Sequence, residues 1–217
     1  MSLVRFRYQT IEFGKLDIHL RTLRNKQQYF DKDGVTKKLG ISSAMWPLFG
    51  VVWPSSLVLA NYLLDFEIKN KRILEVGCGI GLVSLLLNCR IANITATDFH
   101  PEVEQFLKVN VRLNNGKEIP FIRTGWDDNV STLGQFDLIV GSDLLYENEH
   151  INSLAGFINQ HAKADSEVIL VDPGRGFHAL FSKKMVSLGY SHSQYKVENT
   201  SYLEKPFKGV ILRYKHY

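Results

Sequence analysis

Cysteine is scarce in this chain: 217 residues contain two, Cys78 and Cys89. They are not spaced as CxxC, which excludes zinc-ribbon clusters and thioredoxin-type dithiols. The seven histidines are scattered, no HExxH occurs, and no carboxylates cluster with them, so metal-based chemistry is not expected. Charge of one sign is nearly balanced, with 26 basic against 22 acidic residues and a net charge of +4. The densest basic runs are the pairs Lys37-Lys38 and Lys183-Lys184. That surplus permits nucleic acid as a partner without pointing to it, and nucleic acid is not expected. Internal repeats and low-complexity segments are absent. What remains is an ordinary globular composition, 45% hydrophobic and 22% charged, in a chain long enough for one core domain with a modest extension.

One long uncharged run needs explaining. No charged side chain occurs from Leu39 to Leu64, a length that spans a bilayer. Pro47, Pro54, Gly40, Gly50, four serines and Asn61 interrupt it, and a lipid-exposed helix would have to satisfy those polar groups. The run reads as a loop followed by a buried helix near Ser55 to Leu64, and no membrane partner is expected. The segment MSLVRFRYQTIEF lacks the apolar core of a signal peptide, so a cytoplasmic, reducing location is the expectation.

Residues 1–45 read as an N-terminal extension packed on a core. Phe6, Tyr8, Ile11 and Phe13, then Leu16, Ile18 and Leu20, alternate around Gly14 as in a hairpin, and Asp31-Lys32-Asp33-Gly34 reads as a turn. Residues 46–217 form the core domain. From Lys71 apolar strands alternate with helices. Strands are expected at Arg72–Val76, Ile91–Thr97, Ile119–Arg123, Phe136–Val140, Val168–Val171, Tyr190–Val197 and Gly209–Tyr214. Helices are expected at Gly81–Asn88, Pro101–Leu113 and Phe177–Leu188. Buried strands separated by helices define a parallel α/β sheet, in which ligands bind beyond the carboxyl ends of the strands.

The densest signal is Leu74-Glu75-Val76-Gly77-Cys78-Gly79-Ile80-Gly81, which joins a strand to a helix. Leu82 stands where the dinucleotide fingerprint GxGxxG needs its third glycine, and no Gly-Lys-Ser/Thr makes a phosphate loop. Glu75 at the strand end would repel a pyrophosphate but suits a loop around a cationic amino-acid group. S-adenosylmethionine carries an ammonium and a sulfonium, and so fits this loop better than a dinucleotide does. Asp98 ends the second strand, where a carboxylate can accept from ribose hydroxyls or cap the next helix. Trp126-Asp127-Asp128 follows the third strand. An indole there can pack on adenine while a nearby acid accepts from its amino group.

ExGxGxG, Asp98 and the strand Phe136-Asp137-Leu138-Ile139-Val140 resemble a class I S-adenosylmethionine-dependent methyltransferase. The segment Val52 to Ala60, Gly125-Trp126 and Ser142-Asp143-Leu144-Leu145-Tyr146 resemble family 16 of these enzymes. These are seven-strand protein-lysine methyltransferases that act on chaperones, calmodulin and similar targets. Asp172-Pro173-Gly174-Arg175 is similar to the branch that modifies the electron-transfer flavoprotein β subunit. The resemblance implies a Rossmann-like, doubly wound, mostly parallel seven-stranded sheet with helices on both faces. It implies that Trp53, the Gly77-Cys78-Gly79 turn, Asp98, Trp126 and Ser142 line the cofactor, and that a protein lysine is the acceptor.

Asp143 and Tyr146 match the D-x-x-Y motif of that family and are its implied catalytic residues. Lysine has a reference pKa of about 10.4, and transfer needs its lone pair free. A carboxylate stabilises the ammonium, so Asp143 is expected to capture and orient the amine rather than deprotonate it. Tyr146 can supply an aromatic wall or a hydroxyl contact. Helix capping by Asp143 and core packing by Tyr146 are the competing readings. Amino-group nucleic-acid methyltransferases read D/N-P-P-Y/F here, and this chain has Leu144 and Leu145 instead. N-methylation of nucleic acid or of a small amine, and a non-catalytic S-adenosylmethionine-binding module, remain the alternatives.

Overall fold

The computed structural model describes residues 5–24, 46–128 and 131–216. The turn expected at Asp31–Gly34 lies outside the described residues.

Two strands, β1 (Phe6–Phe13) and β2 (Leu16–Leu23), form an antiparallel hairpin that turns at Gly14. A short 3-10 turn, Trp46–Gly50, leads to helix α1 (Pro54–Leu63), which has Pro54 in its first turn. Then strands and helices alternate: β3 (Arg72–Val76), α2 (Leu82–Cys89), β4 (Asn93–Asp98), α3 (Val103–Leu113) and β5 (Phe121–Arg123). They continue as β6 (Phe136–Ser142), α4 (His150–His161), β7 (Ala162–Asp172), α5 (His178–Ser187), β8 (Tyr190–Lys196) and β9 (Val210–His216). Among the described residues no helix is long and apolar enough to cross a membrane.

The seven-stranded sheet runs β5-β4-β3-β6-β7-β9-β8. Its first five strands are parallel, and β9 lies antiparallel to both β7 and β8. This is the doubly wound, Rossmann-like arrangement expected. Successive strand residues alternate between two cores, as a period of two requires. Ile73, Leu138, Val140, Ile169 and Val171 face α1, α2, α3 and the hairpin. Leu74, Val76, Ile139, Val168 and Leu170 face α4 and α5.

Several element bounds differ from the sequence reading. Strand β4 starts at Asn93 rather than Ile91, because Ile91 takes the left-handed conformation (φ +60°) that ends α2 and stands 79% exposed. Helix α3 starts at Val103, two residues beyond Pro101. Helix α4 was not anticipated at all. Its buried Ile151, Leu154, Ala155 and Ile158 carry a helical period, but Asn, Ser and Gly weaken the signal.

The hairpin is fastened to the core through α3. Asn110 Oδ1 accepts from the Arg21 backbone N–H (2.7 Å), and Asn114 Oδ1 accepts from that of His19 (2.8 Å). Phe13, Ile18, Leu20 and Leu23 are buried beneath. These side-chain amides satisfy N–H groups on the free edge of β2 that would otherwise invite another strand.

Candidate active site

The carboxyl ends of β4, β3, β6 and β7 open on the side of the sheet where the winding reverses between β3 and β6. At β3 the chain turns through Gly77-Cys78-Gly79. Gly77 has φ +63°, and a Cβ placed on it would lie 2.5 Å from Leu144 Cδ2. A Cβ on Gly141 would lie 2.6 Å from Leu144 Cδ1. Leu144 thus fills the space over both strand ends. Leu145 is also buried, which leaves Asp143 and Tyr146 to flank this apolar plug. Cys78 is buried and unpaired, and burial raises its thiol pKa, so it is held as a thiol.

Asp98 joins two loops. Its Oδ2 accepts from Gly79 N–H (2.9 Å) and its Oδ1 from His100 N–H (2.8 Å). It does not cap α3, which begins five residues later. Burial raises its carboxyl pKa, against the pull of those amide donors. Each oxygen keeps a second lone pair for a ligand hydroxyl.

Glu75 is 3% exposed, and its Oε2 accepts from both the backbone N–H and the hydroxyl of Ser84, at the first turn of α2. Its bonds therefore anchor the helix that follows the glycine turn. Burial pushes its carboxyl up to about 8, opposed by the Ser84 donors.

Trp53 precedes α1, and its Nε1–H donates to Leu48 O (3.0 Å), bracing the Trp46–Gly50 turn. That turn lies close over the glycine loop, with Phe49 O 3.1 Å from where a Gly79 Cβ would stand. His100 stacks on Phe49 (4.0 Å) and lies tilted against Trp46 (4.1 Å), and burial holds it down at about 4, so the ring is neutral. Ser142 ends β6 and pairs with Val171 on β7. Asp143 follows with φ +57°, an unusual conformation for a residue other than glycine.

Both Asp143 oxygens are engaged by Arg175: Nε–H donates to Oδ1 (2.7 Å) and Nη2–H to Oδ2 (3.1 Å). Burial, then the charges of Asp98, Glu147 and Asp143, push the Tyr146 phenol up to about 12. It stays protonated, and lies within electrostatic reach of both Asp98 and Asp143.

Three residues at this mouth were not read as site residues from the sequence, Arg175 being named there only within the Asp172–Arg175 motif. Phe99 follows Asp98 directly, stands 40% exposed and packs on Gly125, where a Cβ would lie 3.4 Å from its ring. His150 lies edge-on to both Trp126 (5.6 Å) and Tyr146 (5.8 Å), with Glu147 3.4 Å from its Nδ1. Arg175 is the third. Phe99 had a positional signal in following the strand-end acid, whereas His150 and Arg175 come together only through folding. A separate shallow cavity of about 430 Å³ lies between Trp126 and α4, lined by Asp127, Asp128, Asn152 and Gln160 among others. It shares Trp126 with the residues read as cofactor-lining, whereas Asp98, Asp143 and Tyr146 lie outside its lining. Among the described residues no group of three or more His, Cys, Asp or Glu is placed to hold a metal ion.

The donor set fits S-adenosylmethionine: a close-packed glycine turn and a strand-end carboxylate, Asp98, with free lone pairs. Fold and site together define a class I S-adenosylmethionine-dependent methyltransferase, and S-adenosylmethionine is its cofactor. Solved structures agree on the fold. A methyltransferase from Pyrococcus furiosus matches with a TM-score of 0.59 and 20% identity, over 76% of this chain and 83% of that one. A T. Thermophilus 16S rRNA N2 G1207 methyltransferase matches with a TM-score of 0.69 and 14% identity, over 98% of this chain and 51% of that one.

Residues 41–177 match the model of the lysine methyltransferase family, and the chain belongs to that family. Protein N-lysine methyltransferase METTL21A of Danio rerio is 31% identical over 157 residues, 69% of this chain and 67% of the relative. The electron transfer flavoprotein beta subunit lysine methyltransferase of Rattus norvegicus is 29% identical over 133 residues, 59% of this chain and 51% of the relative. The chain thus spans two thirds of the first relative's length and about half of the second's.

Proposed function

We propose that this enzyme methylates the side-chain amine of a lysine in a protein substrate. The observation that carries the reading is the placing of Asp143 and Tyr146 together at the end of β6, with Tyr146 also within the field of Asp98. When bound at Asp98 and the glycine turn, S-adenosylmethionine would supply a methyl group on a cationic sulfur: the acceptor lone pair would form the N–C bond as the S–C bond breaks, S-adenosylhomocysteine would leave as a neutral thioether, and the methylammonium would release its proton to water.

The chain's own groups hold the acceptor in line. Asp143 accepts an N–H from the amine and fixes where its lone pair points. The protonated Tyr146 offers a ring face and a hydroxyl, and its raised pKa disqualifies it as a base at neutral pH. Holding the nitrogen against the methyl can supply much of the acceleration, so no strong base is required once a neutral amine is bound. Asp98 and the glycine turn bind the donor, with Trp53, Trp126 and Ser142 as further lining. The electron-transfer flavoprotein β subunit is the acceptor to try first, because Asp172 to Arg175 resembles that branch. Two unpaired thiols fit a reducing, cytoplasmic location, which fractionation would test.

The test is to incubate the enzyme with methyl-labelled S-adenosylmethionine and either the flavoprotein subunit, calmodulin or a cell extract, with and without nuclease. A labelled protein whose added mass maps to lysine is the expected result. Label confined to nuclease-sensitive material would overturn the assignment in favour of nucleic acid.

A further inference from the structure

The bidentate pair between Arg175 and Asp143 has a chemical consequence for the acceptor site. Ser142 and Val171 are directly paired on β6 and β7, so the two loops leave the sheet at the same height. Asp143 N–H donates to Val171 O (2.9 Å), and Gly174 N–H donates to the Asp172 carboxylate (2.8 Å). Asp172 is 1% exposed, and the loop it anchors carries Arg175 back over β6. The Asp143 side chain is 11% exposed and the Arg175 side chain 44% exposed. The guanidinium thus covers a nearly buried carboxylate from the solvent side.

A lone carboxylate beside a lysine amine raises the amine's pKa by about 1–3 units, locking the lone pair under a proton. A carboxylate already paired with a guanidinium is nearly neutral as a unit, yet two of its roughly four acceptor positions stay free. We propose that Arg175 is a positioning residue for methyl transfer: it keeps Asp143 as half of a neutral pair, so that Asp143 orients the lysine nitrogen without trapping it as an ammonium. This inference rests on the lysine reading above. The other groups facing the pair are Tyr146 and Glu147 on the loop after β6, Asp172 with His178 3.7 Å from it, Asp98 at β4, and His150 of α4 behind Tyr146. Most of them are acids or phenol, and Arg175 supplies positive charge among them.

The experiment compares wild type with Arg175→Gln and Arg175→Lys in single turnover from pH 6.5 to 10. Cofactor and acceptor are both saturating. The acceptor is the flavoprotein β subunit or, if that is not labelled, the extract protein that is. Arg175→Gln should move the rising limb upward by about one pH unit or more and cut the rate at pH 7.5 about tenfold or more, without weakening acceptor binding. Arg175→Lys keeps the cation and should hold the limb near its wild-type position. Calorimetry with S-adenosylhomocysteine should give the same affinity for all three. A limb that stays put in Arg175→Gln overturns the inference, and so does a faster rate at neutral pH, which would make Arg175 an obstacle that substrate displaces. A wild-type enzyme that methylates no protein lysine would instead remove the functional reading beneath it.

Discussion

Asp143 carries the functional reading at the level of single residues. Asn tolerates the left-handed backbone, so Asp143→Asn should fold and bind S-adenosylhomocysteine as wild type does, while methyl transfer falls about 100-fold. Calorimetry beside a methylation assay checks both halves. Glu75 makes a different prediction. Its folded pKa of about 8 lies above the ordinary carboxylate value, so the unfolded chain releases this proton first. Its favourable contribution is complete below about pH 4.5 and is lost as pH rises toward 8. Glu75→Gln should therefore flatten the fall in melting temperature across that window and leave the variant the more stable at pH 8.5. Sequence alone located Glu75 and Asp98 at strand ends because glycines and apolar runs mark those ends. It did not say which way each carboxylate turns. Glu75 bonds to Ser84, nine residues on, whereas Asp98 bonds to Gly79, nineteen residues back. Arg175 lies thirty-two residues from Asp143, and only the pairing of β6 with β7 brings them together.

Among the elements, the strands were the most legible, because a buried parallel strand is a short apolar run bounded by glycine or polar residues. The helix α4 was missed, since its apolar period is diluted by residues of weak helix propensity and it lacks a side-chain cap. The hairpin was legible from its alternation, but its attachment was not. That attachment depends on Asn110, fully buried within α3, whose amide nitrogen also donates to Ile80 O (3.1 Å). Asn110 therefore links hairpin, helix and glycine loop. Asn110→Ala leaves buried backbone groups without partners and should cost roughly 1–3 kcal/mol in a urea titration. Because Ile80 lies in the cofactor loop, the same variant should also weaken S-adenosylhomocysteine binding measurably by calorimetry.

At the scale of the molecule, ligand binding and folding are linked through the strand-end loops. S-adenosylhomocysteine at one hundred times its Kd should add about 2.7 kcal/mol of stability, a rise of roughly 5–10 °C in melting temperature. Asp98→Ala removes charge-assisted hydrogen bonds and should weaken binding by roughly 10–100-fold, shrinking that rise at the same ligand concentration. The way the hairpin is fastened also bears on how the chain is made. The asparagines that hold β2 lie 89 and 95 residues further along the chain. At translation rates of about 5–20 residues per second, the hairpin waits roughly 5–20 s for them on the ribosome. During that interval the edge of β2 lacks the side-chain amides that satisfy it in the folded chain, so the hairpin is made early and fastened late.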